Sequence, residues 1–306
     1  MNFPATKSIA LSRAHENRRV DDLDLTLARA AQFARLHGVA AIYRAGWGNP
    51  GAVLSSADIL ACLYGAELNL WPSSVDDPDR DRFVLSSGHA APTLYAVAAH
   101  YGFCSAPETL SFGKFGSPFQ GLPVPGCGLD FIEASSGQRA QGFGVALGMA
   151  LGLKLQRKSA RVYTLLGDDE LGSGELWEAA LAAAHQKLDN FCAILDYRDL
   201  RDSSDDLQRI RLEPLASKWR AFDWAVIEVD GHDIGQILAA FRRTGTVAGR
   251  PALVIAHTVS GKGVPKWEGQ RRWSNDLALT RRDAEDALLA LGARHSDIVG
   301  LIGDEH

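Results

Sequence analysis

Apolar residues recur at helical spacing between residues 23 and 45, with Leu25, Ala28, Phe33, Leu36, Val39, Ile42 and Tyr43 in one stripe. That period predicts a helix with one buried face. Residues 1–22 before it are polar and carry no period, and they read as an irregular arm. "GWGNPG" (46–51) is turn material, and "SSADILACLYGAEL" (55–68) reads as a capped helix, Ser or Asp leading an apolar face. The pattern then changes. Short runs rich in Val, Ile and Leu follow at 81–87, 161–167, 190–197, 224–231, 251–259 and 297–303, each separated from the next by a helix-like or glycine-rich stretch. Continuous apolar strands alternating with helices predict an α/β fold, a parallel sheet with helices on both faces. The segment 102–137 breaks the rhythm: it is rich in Gly, Pro and Phe with little period, and a loop of that length is functional or disordered.

Composition narrows the class. The chain has 306 residues, 46% of them hydrophobic, enough for one large or two modest cores. Its net charge of −5, from 32 basic and 37 acidic residues, argues against a nucleic-acid footprint, and the pairs Arg242-Arg243 and Arg271-Arg272 are too short to reverse that. Cys62, Cys104, Cys127 and Cys192 lie far apart with no C-x-x-C pair, so they read as reduced, mostly buried thiols. No apolar stretch approaches the roughly 20 residues of a spanning helix, and no leader pattern opens the chain. The expected location is the cytoplasm.

The chemistry concentrates in "LLGDDELGSGELWEAA" (165–180), a strand that ends in an acidic turn and re-enters as a helix. Ligands of parallel sheets bind beyond the carboxyl ends of the strands. If the strands at 161–167 and 190–197 are neighbours, Asp168 faces the 198–200 turn. A carboxylate with neutral oxygen partners there could share Mg²⁺ with phosphates. A Gly-Asp after a strand is also ordinary turn chemistry, and three acids in a row repel phosphate without a cation.

The longer stretch "GDDELGSGELWEAALAAAHQKLDNFCAILDYRDL" resembles the thiamine-diphosphate motif of transketolases, in which a Gly-Asp-Gly-Glu turn leads to a Trp-Glu-Ala-Ala helix and an Asp-Tyr-Asn follows about 30 residues later. "LSSADILACLYG", "DRFVLSSGHAAPTLYA", "QGFGVALGMALGLK", "EVDGHDIGQI" and "VIAHTVSGKGV" resemble transketolase segments in the same order, so the resemblance runs from about residue 25 to 306. It corresponds to the amino-terminal half of the family. This implies a transketolase-like diphosphate-binding fold over 23–279, thiamine diphosphate and Mg²⁺ as cofactors, and the role of one subunit of a split enzyme. The implied partner is a C-terminal subunit carrying the pyrimidine and C-terminal domains, in a heterotetramer. Residues 280–306 look like the opening helix and strand of the pyrimidine domain. A strand without its sheet exposes an edge, so either a partner supplies the rest or this tail docks on its own domain; a partner is the expectation.

Carrying the family's roles over gives His89 (in "SSGHAAP") as the catalytic-site histidine. Asp168, Asp169, Arg198, Leu200, Gly142, Asn49, Ser173 and Gln138 fall at cofactor-site positions, with Asp168 as metal ligand. The pattern also breaks. Arg198 stands at the Asn that completes the metal site, and arginine offers only donors. The Gly-His-Pro-Gly turn reads Gly48-Asn49-Pro50-Gly51, Gly-Ser-Leu-Gly-Gln-Gly reads Gly137-Gln138-Arg139-Ala140-Gln141-Gly142, the Gln-Gly-His-Pro histidine is Leu122, and the acid of Leu-Gln-Glu-Gly is Ser173. Trp273-Ser274-Asn275 lacks a histidine as well.

Three readings follow. The first is a thiamine-diphosphate enzyme of ketol or acyl transfer in a specialised pathway, with Arg198 held by Asp168 and gripping the diphosphate in place of the metal. The second is an enzyme without the cofactor, whose Arg198, Arg139, Gln138 and Arg201 form another anion pocket. The third is a non-catalytic subunit that stabilises a partner. A plain Asp168–Arg198 salt bridge fits either of the last two. His232 and His185 read as structural, and Glu178 as a packing or capping residue.

Overall fold

In the computed structural model, the described residues are 20–135, 137, 140–199 and 212–303, without the side chains of Val20, Asp21 and Asp199. The expected arm thus falls almost wholly outside the described residues, as do Gln138, Arg139, Leu200 and Arg201.

The helical stripe forms α1 (Val20–Ala45). The chain continues through α2 (Pro50–Ser55), α3 (Ala57–Cys62), β1 (Arg82–Leu85), α4 (Ala91–His100), α5 (Ala106–Thr109), α6 (Gln141–Leu155), β2 (Val162–Gly167) and α7 (Gly174–His185). It ends through β3 (Phe191–Asp199), α8 (Leu215–Ala221), β4 (Ala225–Asp230), α9 (Ile234–Thr244), β5 (Ala252–Val259), α10 (Arg281–Ala290) and α11 (His295–Ile302). The five strands form one parallel sheet in the order β1-β2-β3-β5-β4.

Alternation along each strand sorts side chains to two faces. Phe83, Leu85, Tyr163, Leu165, Cys192, Ile194, Val254 and Ala256 meet α1, α3, α4 and α9 on one side. Val84, Val162, Leu166, Phe191, Ala193, Leu195, Leu253 and Ile255 meet α6, α7 and α8 on the other. That second layer is anchored by aromatics: Trp224 packs edge-on to Trp219 at 4.9 Å between centroids, and its indole N–H donates to the Ala180 carbonyl at 3.0 Å. Cys62 and Cys192 are buried, Cys104 is half-buried and Cys127 is exposed, so the expectation of mostly buried thiols holds for two of the four. No helix among the described residues is long and apolar enough to cross a membrane.

Two expectations fail locally. The run "DIVGLIG" (297–303) is helix α11 rather than a strand. Its Ile298 and Ile302 lie four apart and bury together, which a helix permits and a lone strand has no neighbour to stabilise. The tail also docks on its own domain. Ala287, Leu288, Leu291, Ile298 and Ile302 share a core with Val39, Ile42, Trp267 and Trp273. Arg44 donates to the carbonyls of Gly300 and Leu301, closing the last turn of α11, and Gln32 donates to the Leu291 carbonyl.

Candidate active site

Three strand ends meet at the site. After β1, Ser86 and Ser87 lead into a short turn, Gly88–Ala90, that carries His89 into α4. After β2 the chain turns at once through Asp168–Gly172 before α7. β3 is longer than its apolar run suggests, so Arg198 is a strand residue in register with Thr258 of β5. Because β2 and β3 are neighbours, Arg198 reaches the acidic turn.

That contact is the electrostatic centre of the site. Arg198 Nε donates to Asp168 Oδ1 at 2.8 Å, and Nη2 donates to the same oxygen and to Asp169 Oδ1 at 2.9 Å. The Arg198 and Asp168 side chains are 5% and 4% exposed, whereas Asp169 is 43% exposed. Burial works against the guanidinium's charge, but Asp168, with Asp196 and Asp169, outweighs it and holds the proton on more tightly than usual. Asp196, two residues earlier on the same face of β3, accepts from Ser55 at 2.6 Å and from Thr258. Burial pushes its carboxyl up, against the pull of Arg198 and the two hydroxyls.

Beside this cluster opens a cavity of about 300 Å³ lined by Asn49, His89, Asp169, Arg198, Ser274, Asn275 and Asp276. Asn49 caps α2, its side-chain oxygen accepting from the Ala52 N–H at 3.0 Å while its amide donates to the Ser274 carbonyl at 2.8 Å. Asp276 Oδ1 lies 3.3 Å from His89 Nδ1, so a carboxylate stands beside the ring. Arg198 Nη1 takes no acceptor among the described residues, and its side chain lines the cavity.

The structure thus brings together Asn49, His89, Asp168, Asp169 and Arg198. It does not bring Gly142 or Ser173 to the cavity. Gly142 lets α6 pass close to β1, since a Cβ there would come within 2.7 Å of Ser86 Cα. Ser173 is the half-buried cap residue of α7. Leu200 and Gln138 lie outside the described residues. Sequence reasoning overlooked Asp196, Asp276 and Glu170. Glu170 is buried beneath the acidic turn and accepts from the Gly167 N–H at 2.8 Å, the Ala140 N–H at 2.8 Å and the Ser86 hydroxyl at 2.6 Å. Burial pushes its carboxyl up to about 7 against those three bonds, with Asp169 nearby adding to the rise. Its signal was its place as the fourth residue of Gly-Asp-Asp-Glu. His232 is held in a structural knot: its Nδ1 donates to Asp58 at 2.7 Å, its Nε2 accepts from the Val259 N–H at 2.9 Å, and Arg35 also donates to Asp58.

The donor set does not fit a magnesium ion. Mg²⁺ requires an octahedral shell of oxygens, but Asp168 is already forked by a guanidinium, and Arg198 occupies the position from which a neutral oxygen would come. Among the described residues, no group of three or more His, Cys, Asp or Glu could hold a metal. Of the residues lining the cavity, Arg198, His89 and Asn49 carry donors that suit an anion better, beside the carboxylates of Asp169 and Asp276.

Comparison with known proteins identifies the family of the fold. Residues 26–295 match the family described as transketolase, thiamine diphosphate binding domain. The chain is 35% identical over 272 residues to one of the subunits of the apulose-4-phosphate transketolase of Phocaeicola vulgatus, covering 88% of this chain and 95% of that protein. It is 33% identical over 264 residues to the 6-deoxy-6-sulfo-D-fructose transketolase subunit SqwG of a Clostridium species, covering 85% and 94%. Against human transketolase it is 38% identical over 244 residues, yet it spans only 38% of that protein's length. Among solved structures, a transketolase from Pichia stipitis superposes with a TM-score of 0.78 at 25% identity, over 90% of this chain and 43% of the other.

Proposed function

This chain belongs to the transketolase family, and from that premise we propose that it is the N-terminal subunit of a two-chain enzyme of ketol or acyl transfer. The observation that carries the reading is the cavity at the carboxyl ends of β1, β2 and β3, where Arg198, His89 and Asn49 converge. The two-chain form is supported by two relatives, matched over nearly their whole length, that are named as transketolase subunits. In this reading residues 23–279 are the diphosphate-binding domain, and a C-terminal subunit supplies the pyrimidine-binding side in a cytoplasmic heterotetramer. The relatives named for apulose-4-phosphate and 6-deoxy-6-sulfo-D-fructose point to an anionic ketose, phosphorylated or sulfonated, as donor.

When bound, thiamine diphosphate supplies the carbanion-stabilising chemistry of such a transfer. Arg198, held by Asp168 and Asp169, offers its remaining N–H groups to the diphosphate, and Asn49 has one amide hydrogen left beside it. His89, with Asp276 beside its ring, is the side chain in the cavity able to hold or release a proton. The apolar layers behind the turn exclude water from the buried Asp168–Arg198 pair, so its charge is not screened away. The test is to mix this chain with its C-terminal subunit, then measure ketol transfer from phosphorylated and sulfonated ketoses. Transfer is expected only in the mixture supplied with thiamine diphosphate, and His89→Ala lowers it by about 10²–10⁴-fold, the usual worth of a positioned acid or base. Transfer that ignores the cofactor would overturn the reading.

A further inference from the structure

We propose that Arg198 takes the place of a divalent cation in this chain, so that the assembled enzyme binds its diphosphate without metal. The inference rests on the cofactor reading above. It starts from an incompatibility. A cation bridging Asp168 to a phosphate would have to share a carboxylate whose Oδ1 already accepts from both Nε and Nη2 of Arg198, with that fixed positive charge directly beside the ion. To admit the ion, the guanidinium would have to leave a position where it is 5% exposed, and Asp168, 4% exposed, lies directly against it. Metal and arginine therefore compete for one place, and arginine is covalently part of the chain.

The geometry also gives the arginine a free edge. A guanidinium carries five donors in a planar fork. Three contacts go to Asp168 and Asp169. The two hydrogens of Nη1 have no acceptor among the described residues, on a side chain that lines the cavity. An arginine held by carboxylates on the wall of the cavity, with two N–H groups not taken up by them, is preorganised for a phosphate oxygen. The positive charge is fixed in advance, without an ion to recruit.

The substitution has a chemical consequence. Arginine brings one positive charge where a divalent ion brings two, and Asp169 stands at the cavity wall with its own negative charge. The grip on a diphosphate is thus weakened by Asp169, and Asp169→Asn should tighten it.

The experiment is a calorimetric titration of thiamine diphosphate into this chain assembled with its C-terminal subunit, one arm in Mg²⁺ and one in EDTA, with the metal content of the complex measured by mass spectrometry. Dissociation constants within about threefold of each other are expected, a difference of less than one tenfold step in affinity, together with no stoichiometric divalent metal. Arg198→Asn, which restores a neutral oxygen, should lose binding in EDTA and regain it in Mg²⁺. Binding of the wild type that needs Mg²⁺ would overturn the inference while leaving the cofactor reading intact, and this arm does not depend on any variant folding. No binding in either arm, from an intact complex, would overturn both.

Discussion

Asp168 and Arg198 were legible as a pair from sequence because each closes an apolar run, and neighbouring parallel strands bring their ends together. The direction of Arg198's side chain was not legible, since it depends on β3 running on past its apolar residues and on the register with β5. Glu170 was missed for a related reason. It follows two other acids, and only the fold shows that its carboxylate turns inward to bind Gly167, Ala140 and Ser86 while Asp168 meets Arg198 and Asp169 is partly exposed. The contact with Ala140 matters because that residue has φ 69°, a left-handed conformation that side chains seldom adopt. A pH dependence follows. The folded-state value of Glu170, about 7, lies above its ordinary 4.5, so the folded state holds this proton more tightly than the unfolded chain. Its contribution to stability is present below pH 4.5 and is lost as pH rises towards 7, on the order of 3 kcal/mol over that range. Denaturant melts of wild type and Glu170→Gln across this window should show the wild type losing stability relative to the variant as pH rises. A constant difference would contradict the assignment.

At the scale of elements, five of the six apolar runs became strands because each has a neighbour to pair with and helices to cover both faces. The sixth, 297–303, has the same composition but a different partner. Its apolar residues lie at helical spacing against α1, and Arg44 completes the last turn. Periodicity in so short a run does not separate the two outcomes, and tertiary packing decides. The element most dependent on packing is the α6–α7–α8 layer, where Trp224 fills the space between Phe143, Phe191 and Trp219 and ties to α7 through its N–H. Trp224→Ala should cost about 3–5 kcal/mol, the range for a large aromatic removed from a packed core. Chemical denaturation that shows a loss under about 1 kcal/mol would mean the layer collapses to refill the space.

At the scale of the whole molecule, a five-stranded parallel sheet is covered on both faces by helical layers. The changes gather at one end of the strands, around one cavity. Arg198 is paired to Asp168, Asn49 caps α2, and Asp276 lies beside His89. Val145 on α6 and Leu181 on α7 remain exposed, apolar area of a kind that a second subunit would cover. The most direct test of the two-chain account is native mass spectrometry of this chain mixed with its C-terminal subunit, with and without thiamine diphosphate. The account predicts a heteromeric complex whose mass increases by one thiamine diphosphate for each copy of this chain. A complex that forms but never gains that mass, or a chain that stays apart from the C-terminal subunit, would contradict it.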